Sequence, residues 1–111
     1  MSQPLLCTVP EGTPWPSGAH FDLALLSLSI EAIAERVGLP LTHGVEDGLG
    51  PWRAIGGRLP SGTDVEIVCY TRNPQSVFMR VDKRADYAAA LDEILTRFKL
   101  SHTDLKHVFA A

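Results

Sequence analysis

TDVEIVCYTRNPQSVFMRVDKRADYAAALDEILTRF, residues Thr63 to Phe98, is the stretch whose reading decides the fold class. Val65, Ile67 and Cys69 alternate with Glu66, Val68 and Tyr70, the two-residue period of a strand over residues 64–71. Arg72-Asn73-Pro74-Gln75-Ser76 supplies hairpin-loop chemistry, and a second strand follows over residues 77–81. Centring that loop on Pro74 sets Cys69 opposite Met79 and Ile67 opposite Val81. One face then carries Val65, Ile67, Cys69, Val77, Met79 and Val81, all apolar. The other carries Glu66, Val68, Tyr70, Phe78 and Arg80, with Tyr70 and Phe78 as a cross-strand aromatic pair.

The stretch closes on a helix over residues 84–98. Tyr87, Leu91, Ile94, Leu95 and Phe98 form one apolar stripe, Ala88 to Ala90 supply helix propensity, and Asp82 is placed to cap it. That stripe matches the apolar sheet face, so the two are expected to close one core.

Working towards the N-terminus, Pro60-Ser61-Gly62-Thr63 is turn chemistry and a further strand is expected over residues 52–59. Pairing Leu59 with Asp64 puts Arg53 and Ile55 on the Tyr70 face, and Trp52 and Ala54 on the core face. Residues 41–51, with Gly44, Gly48, Gly50 and Pro51, read as a loop whose tip is Glu46-Asp47. The block from His20 to Val37 carries two periods at once. Leu23, Leu26, Ile30, Ile33 and Val37 follow a helix, while Phe21, Leu23 and Leu25 alternate as in a strand. A helix is expected, firmest from Ser29 to Val37 and ended by Gly38. Residues 1–19 hold four of the eight prolines and read as an extended arm in which Leu5, Leu6, Val9 and Trp15 are free to pack. Towards the C-terminus, Ser101 and Asp104 look like an N-terminal cap that opens a short helix through Val108.

The expected fold is therefore α+β. It is a two-layer sandwich with an N-terminal helix, a three-stranded antiparallel sheet (52–59, 64–71, 77–81), an amphipathic helix over 84–98 and a short C-terminal helix. The arm precedes a single domain over residues 20–111, a size that one core can stabilise.

Composition narrows the function. A hydrophobic share of 45% with 21% charged residues is that of an ordinary globular chain, and no apolar run reaches the roughly 18 residues of a membrane span. Met1-Ser2-Gln3-Pro4 lacks a basic start, and Cys7 and Cys69 form no spaced pair, so a reducing cytoplasm is expected. Residues 1–51 hold six acids against one base, and residues 52–111 seven acids against nine bases. An acidic first half argues against nucleic acid and for a basic partner.

No motif carries chemistry. His20, His43, His102 and His107 have neither metal-ligand spacing nor a nearby cysteine, and no phosphate loop or nucleophile elbow is present. No cofactor, metal or catalytic residue is therefore expected. His43 with Glu46 and Asp47 is the densest titratable cluster, and a small enzyme working through that loop is one alternative.

Ser29 to Leu39 resembles the first helix and turn of a helix-turn-helix unit. The recognition helix such a unit needs is replaced by Pro40, Gly44, Gly48, Gly50 and Pro51, with acids where bases would help. In size and acidity the chain is similar to immunity proteins encoded beside toxins. In a helix followed by strands it is similar to secretion chaperones.

The leading expectation is a non-enzymatic protein-binding module, in the form of an inhibitor or an immunity protein for a bacterial toxin. A regulatory or structural homo-oligomer is the other alternative. The surface expected to meet a protein partner or a second copy comprises Glu46, Asp47, Arg53, Tyr70, Phe78 and Arg80.

Overall fold

The computed structural model describes residues 20–46, 48 and 50–109, and for Glu46 the backbone alone. The expected arm over residues 1–19 and the loop residue Asp47 lie outside the described residues.

Strands β1 (His20–Leu26), β2 (Thr42–Glu46), β3 (Gly50–Arg58), β4 (Asp64–Tyr70), β5 (Val77–Asp82) and β6 (Leu105–Val108) form one sheet. Their order is β2-β3-β4-β5-β1-β6, and every pairing is antiparallel. Among the described residues the helices are α1 (Ile30–Val37) and α2 (Tyr87–Arg97), with a 3-10 turn at His102–Asp104. Among the described residues no helix is long and apolar enough to cross a membrane.

The sheet has twice the strands expected. Three segments account for the difference. Residues 20–26 are a strand and not the start of a helix, because β1 finds partners on both sides, β5 and β6. A register shift between Asp22 and Ala24 lets Leu23 and Ala24 both turn inward, and that irregularity gave the block its helix-like spacing. The expected loop over residues 41–51 contains β2 and the start of β3, with Gly48 (φ 84°) and Gly50 (φ 83°) reversing the chain between them. The expected C-terminal helix is the one 3-10 turn followed by β6. Ser101 and Asp104 do form a capping box, with the Ser101 N–H donating to the Asp104 carboxylate at 2.9 Å, but it caps nothing longer.

Helix α1 keeps its expected C-terminal end, but it begins only at Ile30 and not near His20. Ser29 accepts from the Ala32 N–H at 3.2 Å, and Gly38 closes it at φ 73°. The stripe of α2 is also as read, but the helix starts at Tyr87, capped by Asp86, whose carboxylate accepts from the Ala89 N–H at 3.2 Å. Asp82 is spent elsewhere, accepting from the Arg84 N–H at 2.8 Å.

Both helices cover one face. Ile30, Ile33 and Ala34 of α1 and Ala90, Leu91, Ile94 and Leu95 of α2 share a core with Leu23, Leu26, Ile55, Val65, Ile67, Cys69, Val77, Met79 and Val81. Phe98, just past α2, is buried completely among them. The β4–β5 register differs from expectation by two residues, with Cys69 opposite Val77 and Ile67 opposite Met79, so the same side chains stay inward. The β3–β4 register differs by one, with Arg58 opposite Asp64, which reverses β3. Ile55 joins the core, while Trp52 and Ala54 go to the opposite face.

Candidate interaction surfaces

The face away from the helices is organised in rows. Gly56, Glu66, Arg80 and Asp22 lie side by side across β3, β4, β5 and β1. The next row is Thr42, Ala54, Val68, Phe78 and Leu25, and the third is Gly44, Trp52 and Tyr70. Trp52, Ala54, Val68 and Tyr70 form a second cluster with Phe78 against it.

Arg80 organises this face electrostatically. Its Nε donates to the Asp22 carboxylate at 2.9 Å and its Nη1 to the Tyr70 hydroxyl at 3.2 Å, while Glu66 lies 3.7 Å from the same nitrogen. The guanidinium carbon stands 5.6 Å from the Tyr70 ring centre and 5.5 Å from that of Phe78, within cation–π range. Burial disfavours its charge, but the bonds to Tyr70 and Asp22 outweigh that and hold its pKa above the ordinary arginine value. Glu66 and Arg80 are only 2% and 7% exposed, so this is a desolvated charge pair.

Of the six residues expected at an interaction surface, Tyr70, Phe78 and Arg80 come together here. Tyr70 is 7% exposed and Phe78 is half-buried. Arg53 is on the other side of the sheet, paired with Glu31 of α1. The backbone of Glu46 ends β2 opposite Gly50, and Asp47 lies outside the described residues. Trp52, expected on the core face, lies on this one. A signal for its true place lies in Gly44, since a Cβ there would enter the Trp52 indole. An aromatic ring laid over a glycine of an edge strand is a recurrent cross-strand pairing.

A second surface lies at the β2 edge. Gly44 and Thr42 pair with Trp52 and Ala54, so His43 and Val45 point to the helix side of the sheet. Helix α1 reaches Arg53 on β3 through Glu31, and His43 and Val45 stay exposed, Val45 at 76%. They line an open groove of about 420 Å³ with Gly44, Pro51, Trp52, Arg53 and Thr71. Among the described residues β2 pairs only with β3, which leaves its outer backbone edge without a strand. At the far side of the sheet β6 is the other edge, where Phe109 is 44% exposed and packs edge-on against His107.

Among the described residues reactive groups are sparse. Burial pushes the Cys69 thiol up, against a smaller lowering by Arg53, and its side chain belongs to the core. No group of three or more His, Cys, Asp or Glu among the described residues is placed to hold a metal ion. A polar hollow of about 220 Å³ lies between Gly62, Thr63, Asp64, Asp82, Arg84 and Ala85. Its charges are taken up locally, Asp64 with Arg58 at 2.8 Å and Asp82 with Arg84 at 3.3 Å.

Compared with protein-family models, curated proteins and solved structures, the chain matches none.

Proposed function

We propose that this chain is a small protein-binding module, in the manner of an inhibitor or an immunity protein, and that it takes its partner at the β2 edge. The observation that carries this reading is Val45. A large β-branched side chain, 76% exposed, stands on an edge strand beside an open groove. Natural edges are blunted by charge, proline or a covering element. Here the edge is Thr42-His43-Gly44-Val45-Glu46, with the exposed apolar side chain of Val45 on its helix side. An extended partner segment adds a strand through main-chain hydrogen bonds and seats one apolar side chain beside Val45 and Pro51. The acidic first half of the chain favours a partner segment rich in Lys or Arg.

The test is affinity capture from the source cell. Binding of the purified captured protein to the native chain and to Val45→Ser is then compared by calorimetry. Binding is expected to weaken by at least about tenfold in the variant, which is 1.4 kcal/mol. Failure to recover a stoichiometric protein, or equal binding by Val45→Ser, overturns the reading. A concentration-dependent dimer that Val45→Ser dissociates would replace it with the homo-oligomer.

A further inference from the structure

Strand β2 offers outward backbone groups at two residues, and the ladder identifies them. The Thr71 N–H donates to the Pro51 carbonyl at 2.9 Å, so Pro51 turns its backbone to β4 and away from β2. The Ala54 carbonyl points the other way, accepting from the Thr42 hydroxyl on β2 at 3.2 Å. Along an antiparallel ladder, pairs that exchange hydrogen bonds alternate with pairs that do not. Thr42 opposite Ala54 and Gly44 opposite Trp52 are therefore the bonded pairs of β2 and β3. His43 opposite Arg53 and Val45 opposite Pro51 are the others. The N–H and C=O of His43 and Val45 thus point away from the sheet, and among the described residues no strand takes them up. The same two residues carry the exposed side chains on the helix side of β2.

We infer that the partner segment docks on β2 antiparallel in a single register, and that it reads apolar, any residue, basic in N-to-C order. The pattern rests on the reading that β2 takes the partner. Antiparallel pairing lets two segment residues, one opposite Val45 and one opposite His43, each exchange two main-chain bonds, and every other pairing in the sheet is antiparallel. Those two residues are two apart, so both side chains lie on the helix side.

The residue opposite Val45 lies beside Val45 and Pro51 and is apolar. The residue opposite His43, two positions later in the segment, points towards the flank of α1. That flank is acidic. Glu31 reaches over to Arg53, and Glu35 follows one turn on, exposed on the same side of the helix. Arg36 is turned the opposite way, to the Lys99 carbonyl at 3.3 Å and the Asp104 carboxylate at 3.4 Å. A Lys or Arg at this position meets Glu35.

The middle residue of the segment faces Gly44 on the other side of the sheet. Its N–H points away from β2, so the ladder makes no demand on it. Gly44 presents no side chain there, and the indole of Trp52 stands where a Cβ would be. Proline is therefore accepted at the middle position and excluded at the two that flank it.

Two measurements with the captured protein test this. The first is residue-resolved amide exchange on the native chain. Alone, the His43 and Val45 amides should exchange fast and the Gly44 amide slowly. In the complex the first two should slow by at least tenfold while Gly44 changes little. The second uses a synthetic peptide copied from the captured protein's bound segment. N-methylation at either residue that faces Val45 or His43 should weaken binding at least tenfold, and N-methylation between them should leave it within about threefold, since one main-chain hydrogen bond is worth up to about 13-fold.

Binding that falls with Val45→Ser while the His43 and Val45 amides keep their exchange rates leaves β2 as the site and overturns the register. A bound segment with an acidic residue opposite His43 overturns the pattern. Binding indifferent to Val45→Ser, or no captured protein at all, overturns both this inference and the reading beneath it. The same two amides slowing in the protein alone as its concentration rises gives the edge to a second copy and likewise overturns both.

Discussion

Arg80→Met is the perturbation that most directly measures how the second sheet face is built. The guanidinium stands between the carboxylates of Asp22 and Glu66, bonded to one at 2.9 Å and 3.7 Å from the other, with its side chain 9% exposed. Removing one partner of a buried pair costs about 3–5 kcal/mol, because the remaining charge stays where water does not reach. An exposed pair costs about 0–1 kcal/mol. The two ranges do not overlap, so the size of the loss reports whether the face is covered. For a chain of this length the larger loss lowers the thermal midpoint by about 12–20 °C, taking about 4 °C per kcal/mol.

Methionine retains most of the arginine stem, so lost packing over Tyr70 and Phe78 is a minor part of the change. The double variant Glu66→Met/Arg80→Met removes both desolvated charges, and it should return to within about 1 kcal/mol of the native protein. Asp22 needs no replacement, since its side chain is 37% exposed and hydrates once released. Urea denaturation of native, single and double variants gives all three values. A loss below about 1 kcal/mol for Arg80→Met would refute the reasoning and leave the face an open one.

Two further outcomes follow from local geometry. Gly44→Ala drives a methyl group into the Trp52 indole, so the ring must swing away. The expected loss is about 1–3 kcal/mol with a change in tryptophan emission, and unchanged stability with unchanged emission would contradict the packing. Asp104 is held below the usual carboxylate range, first by the Ser101 N–H and further by the Arg36 guanidinium 3.4 Å away. A depressed folded pKa adds stability above the unfolded value, about 3.9, and that stability is lost as pH falls through the folded pKa. Asp104→Asn should therefore flatten the acid limb of the stability curve below about pH 4 and leave its shape near neutrality unchanged, as read by thermal melts across pH.

The parts legible in the sequence are those decided within a few residues. The caps of α1 at Ser29 and Gly38, the stripe of α2 and the alternation of β4 and β5 all follow from local spacing. The parts that were not legible are decided by distant partners. Strand β1 exists because β5 and β6 flank it, and its end at Ser27 is fixed by bonds from its N–H and Oγ to the Asp104 carbonyl, at 2.9 and 3.0 Å. Strand β2 holds a glycine in its centre, a loop signal by composition, yet that glycine is what admits the Trp52 ring. In β6, Leu105 and Val108 stand three apart as in a helix, and the register irregularity against β1 is what turns both inward.

Register shows the same boundary more sharply, because its errors have parity. The β4–β5 hairpin lies two residues from its expected alignment, and every side chain still faces the expected way. The β3–β4 hairpin lies one residue away, and all of β3 is reversed. Hydrophobicity gave no warning, since Trp52-Arg53-Ala54-Ile55-Gly56-Gly57 puts one large apolar side chain on each face in either register. The turn decided it. Leu59 belongs to the loop, where its N–H donates to the Thr63 carbonyl at 2.8 Å and its side chain is fully buried. Ser61 fixes that loop to α2, its hydroxyl donating to Glu93 at 2.6 Å, a contact 32 residues away in the chain. The single-residue difference exchanges Arg53 for Trp52 beside Tyr70. A face that the expected register made a partly cationic partner surface is therefore an aromatic one around a single buried arginine, and such a face favours an apolar cover over a wet interface.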